Sequence, residues 1–265
     1  MQDFIAVLDF GSQYAHLIAK RIRHLGAYTK IFSPSVNEKL LRKAKGIILS
    51  GGPSSVYSFD IPSFNPKLLA SDLPILGLCY GHQLIAKQFG GTITNTGKGE
   101  FGKAVLEHTS DFPLWQNVSF PNRVWMSHQD SVTKCPPDFE VTGITDSGCV
   151  AAMKHRNRPI YTLQFHPEVN DSEQGQIMLE NFVNTCDVSS RWSMENFIEE
   201  TTERLRKEVG GRKVLMFISG GVDSSVAFAM LNKALGKDHM LGLYINNGFM
   251  RKNESTEIIE RYQQI

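Results

Sequence analysis

Short apolar runs that break off at small or glycine-rich turns recur along the first half of the chain. This repetition constrains the fold more than any other feature. Residues 4–10 (FIAVLDF) read as a buried strand that runs into Gly11-Ser12. Residues 14–25 carry Leu17, Ile18, Ile22 and Leu25 at helical spacing, and Gly26 stops them. Further strands are predicted at 28–32, 46–49 and 74–78. The 46–49 run ends in Ser50-Gly51-Gly52-Pro53, and the 74–78 run ends in Cys79-Tyr80-Gly81. A helix at 83–89 follows and stops at Gly90-Gly91. Such alternation predicts the α/β class: a mostly parallel open sheet with helices on both faces. Residues 92–144 are richer in strands and turns and read as an antiparallel extension. A last strand at 160–165 (IYTLQF) runs into His166-Pro167-Glu168, and a helix at 174–183 closes the unit.

A boundary is expected near Asp187–Ser190, giving a first domain at 1–187 and a second at 188–265. In the second, Ser193 is a suitable helix N-cap. Met194, Phe197, Ile198, Leu205 and Val209 keep helical spacing up to Gly210-Gly211. A strand at 214–218, a Gly-rich loop at 219–225, a helix at 226–235, a strand at 240–245 and a helical stretch at 251–265 follow. This is an incomplete α/β nucleotide-binding unit. A lone strand–helix–strand cannot cover both faces of a parallel sheet, so exposed apolar surface is expected on strand 214–218.

Composition serves mainly to exclude. With 41% hydrophobic and 21% charged residues, a sizeable core can form and wholesale disorder is ruled out. A formal net charge of +1 offers no basic surface for nucleic acid. No run reaches the ~18 apolar residues of a membrane span, so no membrane partner is expected. The N-terminus, Met1-Gln2-Asp3-Phe4, has no basic leader region, and a cytoplasmic location is expected. The four cysteines (Cys79, Cys135, Cys149, Cys186) form no CxxC pair, which argues against a disulfide framework or a zinc site.

Cys79 stands apart. It lies where a buried strand turns into a helix, with Gly77 and Gly81 on either side. Such an elbow lifts a nucleophile above the sheet edge, small neighbours avoid clashes, and a helix N-terminus favours thiolate. By itself the elbow reads equally well as a buried structural cysteine. His166-Pro167-Glu168 changes that reading. In extended backbone, residues two apart face one side, so His166 and Glu168 can enter one cleft. A thiol nucleophile needs a base, and the base needs an orienting acid. Ser50-Gly51-Gly52-Pro53 adds backbone N–H groups that can approach an oxyanion closely.

The GGP strand end, the G-x-C-x-G elbow and the HPE pair resemble those of the class I (triad) glutamine amidotransferases, in the same order and over about residues 1–186. The resemblance implies Cys79 as nucleophile, His166 as general acid/base and Glu168 as its orienter. It implies an oxyanion hole from the N–H groups of Gly52 and Tyr80. It also implies glutamine contacts from Gln83, Ser127, His128, Gln129 and Asp130. No cofactor is implied for this glutaminase half.

Ser219-Gly220-Gly221-Val222-Asp223-Ser224-Ser225 lies between a strand and a helix, a placement suited to cradling phosphate. It lacks the Gly-Lys-Ser/Thr of a Walker loop. It is similar to the pyrophosphate loop of the ATP pyrophosphatases, which implies ATP and Mg2+ as cofactors, with Asp223 at the metal. Both halves in one chain resemble the glutamine-hydrolysing GMP synthase family, as do Leu8–Tyr14 and Val124–His128. The implied reaction converts glutamine, xanthosine monophosphate (XMP) and ATP into GMP, glutamate, AMP and pyrophosphate. Two departures stand out. The second domain reads as truncated, so the XMP pocket and the region that makes that family homodimeric are expected to be absent. Asn246 also stands where that family has an acid. Two other readings compete: a stand-alone glutaminase that feeds a separate synthetase, and an inactive glutamine-binding remnant. The SGGVDSS loop argues against the first and the intact triad against the second.

Overall fold

The computed structural model describes residues 3–53, 55–58, 62–189 and 192–264. Met1, Gln2, Ser190 and Ile265, which entered the reading of the termini and the boundary, lie outside that set. The chain divides into two compact units, Met1–Trp192 and Ser193–Ile265.

In the first unit, β1 (Phe4–Leu8), β2 (Thr29–Phe32), β3 (Ala44–Leu49), β4 (Ile75–Leu78) and β9 (Ile160–Leu163) lie parallel in the order β2-β1-β3-β4-β9. Beyond β9 the same sheet continues through β8 (Val150–His155), β7 (Phe139–Thr145), β5 (Thr92–His108) and β6 (Asn122–Lys134), all antiparallel. The α/β class holds, but the expected predominance of parallel pairing is corrected: the sheet is half antiparallel by pairing. Its two longest strands, of 17 and 13 residues, lie in the antiparallel half. The physical reason is connectivity. Residues 92–163 contribute five successive strands with no α-helix between them, and without crossover helices neighbouring strands pair antiparallel.

β1 shows how the sheet is covered. Ile5 and Val7 join one buried cluster, while Phe4, Ala6 and Leu8 join another, the period-two alternation of a strand buried on both faces. α1 (Ala15–His24) adds Ile18 and Ile22 to the first cluster, and α3 (Gly175–Thr185) adds Met178, Leu179 and Phe182. α2 (Tyr80–Gln88) adds Leu84 and Ile85 to the second. Register places Leu49 beside Gly77 and Leu78 beside Leu163, so the C-terminal ends of β3, β4 and β9 lie side by side.

The second unit contains α4 (Met194–Val209), β10 (Val214–Ile218), α5 (Val222–Leu235), β11 (Met240–Tyr244) and α6 (Glu254–Gln263). Ser193 caps α4 by accepting from the Asn196 N–H at 3.2 Å, and Gly210 ends it in the left-handed conformation. β10 and β11 form a two-stranded parallel sheet. On one face the cross-strand pairs Leu215/Leu241 and Phe217/Leu243 are exposed, as expected for an uncovered sheet face. α5 begins four residues earlier than its apolar spacing indicated. Ser224 and Ser225 therefore lie in its first turn rather than in the loop, and their hydroxyls fold back to donate to the Gly221 carbonyl.

Candidate active site

β4 delivers Cys79. Its N–H donates to the Leu163 carbonyl at 2.8 Å, which fixes it against β9. The chain then turns sharply: Cys79 takes φ 51°, ψ −100° and is itself the N-cap of α2. The helix starts at Tyr80, three residues earlier than expected from sequence. That start places the Tyr80 N–H among the helix amides that lack an intrahelical acceptor. The flanking glycines are required by space. A Cβ on Gly77 would lie 2.6 Å from the Gly81 carbonyl oxygen, and one on Gly81 would lie 2.6 Å from the Leu49 carbonyl oxygen. At the end of β3, Gly52 is also crowded, though less so, with Phe10 O 3.0 Å and Tyr80 Cγ 3.3 Å from a Cβ built there.

β9 delivers the histidine and the acid. The His166 N–H donates to the Trp125 carbonyl (3.0 Å), and the Ser172 hydroxyl donates to the His166 carbonyl (2.6 Å). His166 Nδ1 lies 2.7 Å from Glu168 Oε1. Glu168 is fully buried and its Oε2 has no hydrogen-bond partner among the described residues. A carboxylate can only accept, so Nδ1 carries the proton and Nε2 is left for Cys79. Burial opposes the imidazolium, but Glu168 and the Cys79 sulfur more than offset it and hold His166 well above the ordinary histidine value.

Two cavities meet at Cys79. One, of about 350 Å3, is lined by Gly52, Tyr80, Gln83 and the strand segment Ser127, His128, Gln129, Asp130. The other, of about 270 Å3, is lined by Gly11, Ser12, Gln13, Tyr14 and His166. The sequence-predicted residues of the first unit therefore converge on one place. A larger cavity of about 780 Å3, around Phe112, Trp115 and Asn181, shares no residue with it.

Several contributors escaped the sequence reading. Tyr14 meets the His166 ring edge-on, with centroids 5.1 Å apart. Arg21 Nε donates to the Glu168 carbonyl at 2.9 Å. Gly51, in the glycine turn already read as part of the site, approaches His166 so closely that a Cβ there would lie 3.1 Å from Cε1. The Leu8–Tyr14 stretch ends β1 beside the site, and that placement was the available signal for Tyr14. Arg21 had none.

In the second unit, the SGGVDSS segment is braced internally. The Ser219 and Ser224 hydroxyls lie 3.0 Å apart, and Ser225 Oγ lies 2.8 Å from the Tyr262 hydroxyl. Gly220 has φ +78°, and a Cβ on it would lie 2.2 Å from Ile258 Cδ1, so only glycine fits. Asp223 is exposed in the first turn of α5. One exposed carboxylate can hold Mg2+ only where phosphate oxygens complete the shell.

Comparison with known proteins identifies the families to which the two halves are similar. Residues 6–186 match the family "Glutamine amidotransferase class-I", and residues 193–264 match "NAD synthase", the latter an ATP-pyrophosphatase-type start. The chain is 45% identical over 262 residues to a GMP synthase [glutamine-hydrolyzing] of Fusobacterium nucleatum, covering 97% of this chain and 51% of that one. A GMP synthase [glutamine-hydrolyzing] of Staphylococcus saprophyticus is 43% identical over 264 residues, covering 98% and 51%. The chain thus spans about half the length of the curated relatives it matches. Among solved structures, a GMP synthase subunit of Thermoplasma acidophilum is 27% identical, with a TM-score of 0.62, covering 77% of this chain and 99% of that one. A glutamine amidotransferase of Thermotoga maritima, 17% identical with a TM-score of 0.55, shares the fold and covers 98% of each chain. The chain belongs to the class-I glutamine amidotransferase family.

Proposed function

We propose that this amidotransferase hydrolyses glutamine and supplies the ammonia for GMP formation. The convergence of Cys79, His166 and Glu168 beyond the ends of two adjacent parallel strands carries this reading. In it, His166 Nε2 takes the thiol proton and Cys79 Sγ attacks the side-chain carbonyl carbon of glutamine. The N–H groups of Gly52 and Tyr80 receive the developing oxyanion. His166 returns the proton to the leaving ammonia, and water it activates then hydrolyses the glutamyl thioester. The first domain (1–187) needs no cofactor for this. Gln83 and Ser127–Asp130 hold the substrate glutamine in the adjoining cavity.

The second domain (188–265) supplies the loop Ser219–Ser225 for the pyrophosphate of ATP, with Asp223 at Mg2+. There the ion would neutralise phosphate charge, while the braced glycines and serines hold the loop open. XMP is the proposed acceptor where a complete synthetase domain is present. Four free cysteines, two of them buried, suit a reducing compartment, and the cytoplasm is the proposed location. No helix among the described residues is long and apolar enough to cross a membrane.

The test is glutamate release by the full chain, with and without ATP and XMP, together with denaturing mass spectrometry for a glutamyl adduct on Cys79. Release with a transient adduct is expected. Neither product nor adduct under any condition would sink the reading. Release that ignores ATP and XMP would favour a stand-alone glutaminase, the alternative that the Thermoplasma relative keeps open.

Glu168→Gln gives a sharper check. The glutamine amide would donate to His166 Nδ1 and leave the proton on Nε2, where it cannot accept from Cys79. Activity should fall by about 10²- to 10⁴-fold with glutamine affinity little changed. A variant within about threefold of wild type would remove Glu168 from the mechanism.

A further inference from the structure

Glu100, in β5, was outside every sequence-based reading of the site. It faces His128 directly across the β5–β6 pair. Its side chain is 13% exposed, and both carboxylate oxygens are engaged. Oε2 lies 3.1 Å from His128 Nε2, while Oε1 accepts from the hydroxyls of Thr145 (2.9 Å) and Ser147 (2.6 Å). Burial acts to raise this carboxyl, but the hydrogen bonds from His128, Ser147 and Thr145 overcome it and pull it down to about 2. Glu100 is therefore a carboxylate at neutral pH.

The other ring nitrogen of His128, Nδ1, lies 3.0 Å from the Asp130 carbonyl oxygen. Both nitrogens thus face atoms that can only accept. The ring is thus clamped between the Glu100 carboxylate and the Asp130 carbonyl. The same Asp130 carbonyl accepts from Gln83 Nε2 at 2.7 Å, and Gln83 Nε2 also donates to Gln164 Oε1 at 3.2 Å. With both amide hydrogens spent on the protein, Gln83 is left with only its Oε1 to offer the cavity it lines.

We infer that Glu100 is a positioning residue for the glutamine pocket: its carboxylate fixes the His128 ring against the Asp130 carbonyl, and that carbonyl, shared with Gln83, fixes Gln83 with its acceptor turned toward an N–H of the substrate. The inference rests on the glutaminase reading of this pocket. Cys149 Sγ approaches Glu100 and His128 closely enough for the three to share an ion, all within 4.8 Å of one another. A proton suits the gap better than a metal. Burial and the Glu100 charge push the Cys149 thiol up to about 12, and the Glu100 oxygens already hold two hydroxyls.

Glu100→Gln tests this in the full chain. The glutamine amide can donate to His128 Nε2 and accept from Thr145 and Ser147, so the packing survives while the charge is lost. The KM for glutamine should rise about five- to tenfold, with kcat within about twofold. Glu100→Asp, which keeps the charge, should restore part of the KM. An unchanged KM in Glu100→Gln would overturn the proposal, as would a loss confined to kcat. One equivalent of zinc that copurifies with the wild type and is lost in the variant would overturn it too. A wild type that neither binds nor hydrolyses glutamine would sink the pocket reading and leave the Glu100–His128 contact standing alone.

Discussion

Replacing Cys79 with alanine is expected to lower glutamate release by about 10⁴-fold or more, because covalent catalysis loses its nucleophile and His166 loses the proton it would transfer. Glutamine affinity should stay within about threefold, since the cavity that holds the substrate is built by Gln83 and the β6 segment rather than by Sγ. Alanine keeps a Cβ and the same strained turn, so the fold around it should not relax. Initial rates at saturating glutamine, beside calorimetric titration of glutamine into the same variant, separate the two quantities. A residual rate within about tenfold of wild type would mean that another group does the chemistry. Parallel loss of binding would mean that the thiol mainly shapes the pocket.

Gly175→Ala is the second large effect, and it acts at a distance. Gly175 opens α3, and a Cβ on it would sit 2.0 Å from the Pro167 carbonyl oxygen and 2.7 Å from the carbonyl carbon. These are backbone atoms of the segment that carries His166 and Glu168, so no flexible side chain can yield. Overpacking of this kind costs about 1–3 kcal/mol and occasionally more. In a unit of this size each kcal/mol lowers the melting temperature by about 2–4 °C, so a drop of about 2–12 °C is expected. Moving Pro167 also moves its neighbours. A displacement near 1 Å at a reacting group costs about 10²-fold in rate, and kcat should fall accordingly. Thermal melts and rates measured on one preparation decide the matter. An unshifted melting temperature would show that α3 simply slides outward.

These two positions mark where the sequence was legible and where it was not. Cys79, His166 and Glu168 could be found because each belongs to a local motif at a strand end, and open α/β sheets gather such ends on one edge. Ser193 and Gly210 could be read because caps depend on immediate neighbours. Gly175 gave no signal, since its need for a missing side chain comes from Pro167, which approaches only after folding. Glu100 gave none either: its partners His128 and Thr145 lie 28 and 45 residues away, and no period links them. The starts of α2 and α5 were placed late because apolar spacing begins inside those helices. Their first turns are polar, aromatic or glycine-bearing, and it is backbone geometry that places them. The parallel half of the sheet was legible from its strand–helix alternation. The extent of the antiparallel half depended on register that composition does not record.

The backbone at Cys79 has one more consequence. A non-glycine residue held at φ 51° costs on the order of 1–3 kcal/mol that the surrounding sheet must absorb. Glycine at this position would relieve that cost and remove the thiol. Persistence and reactivity therefore pull the same position in opposite directions.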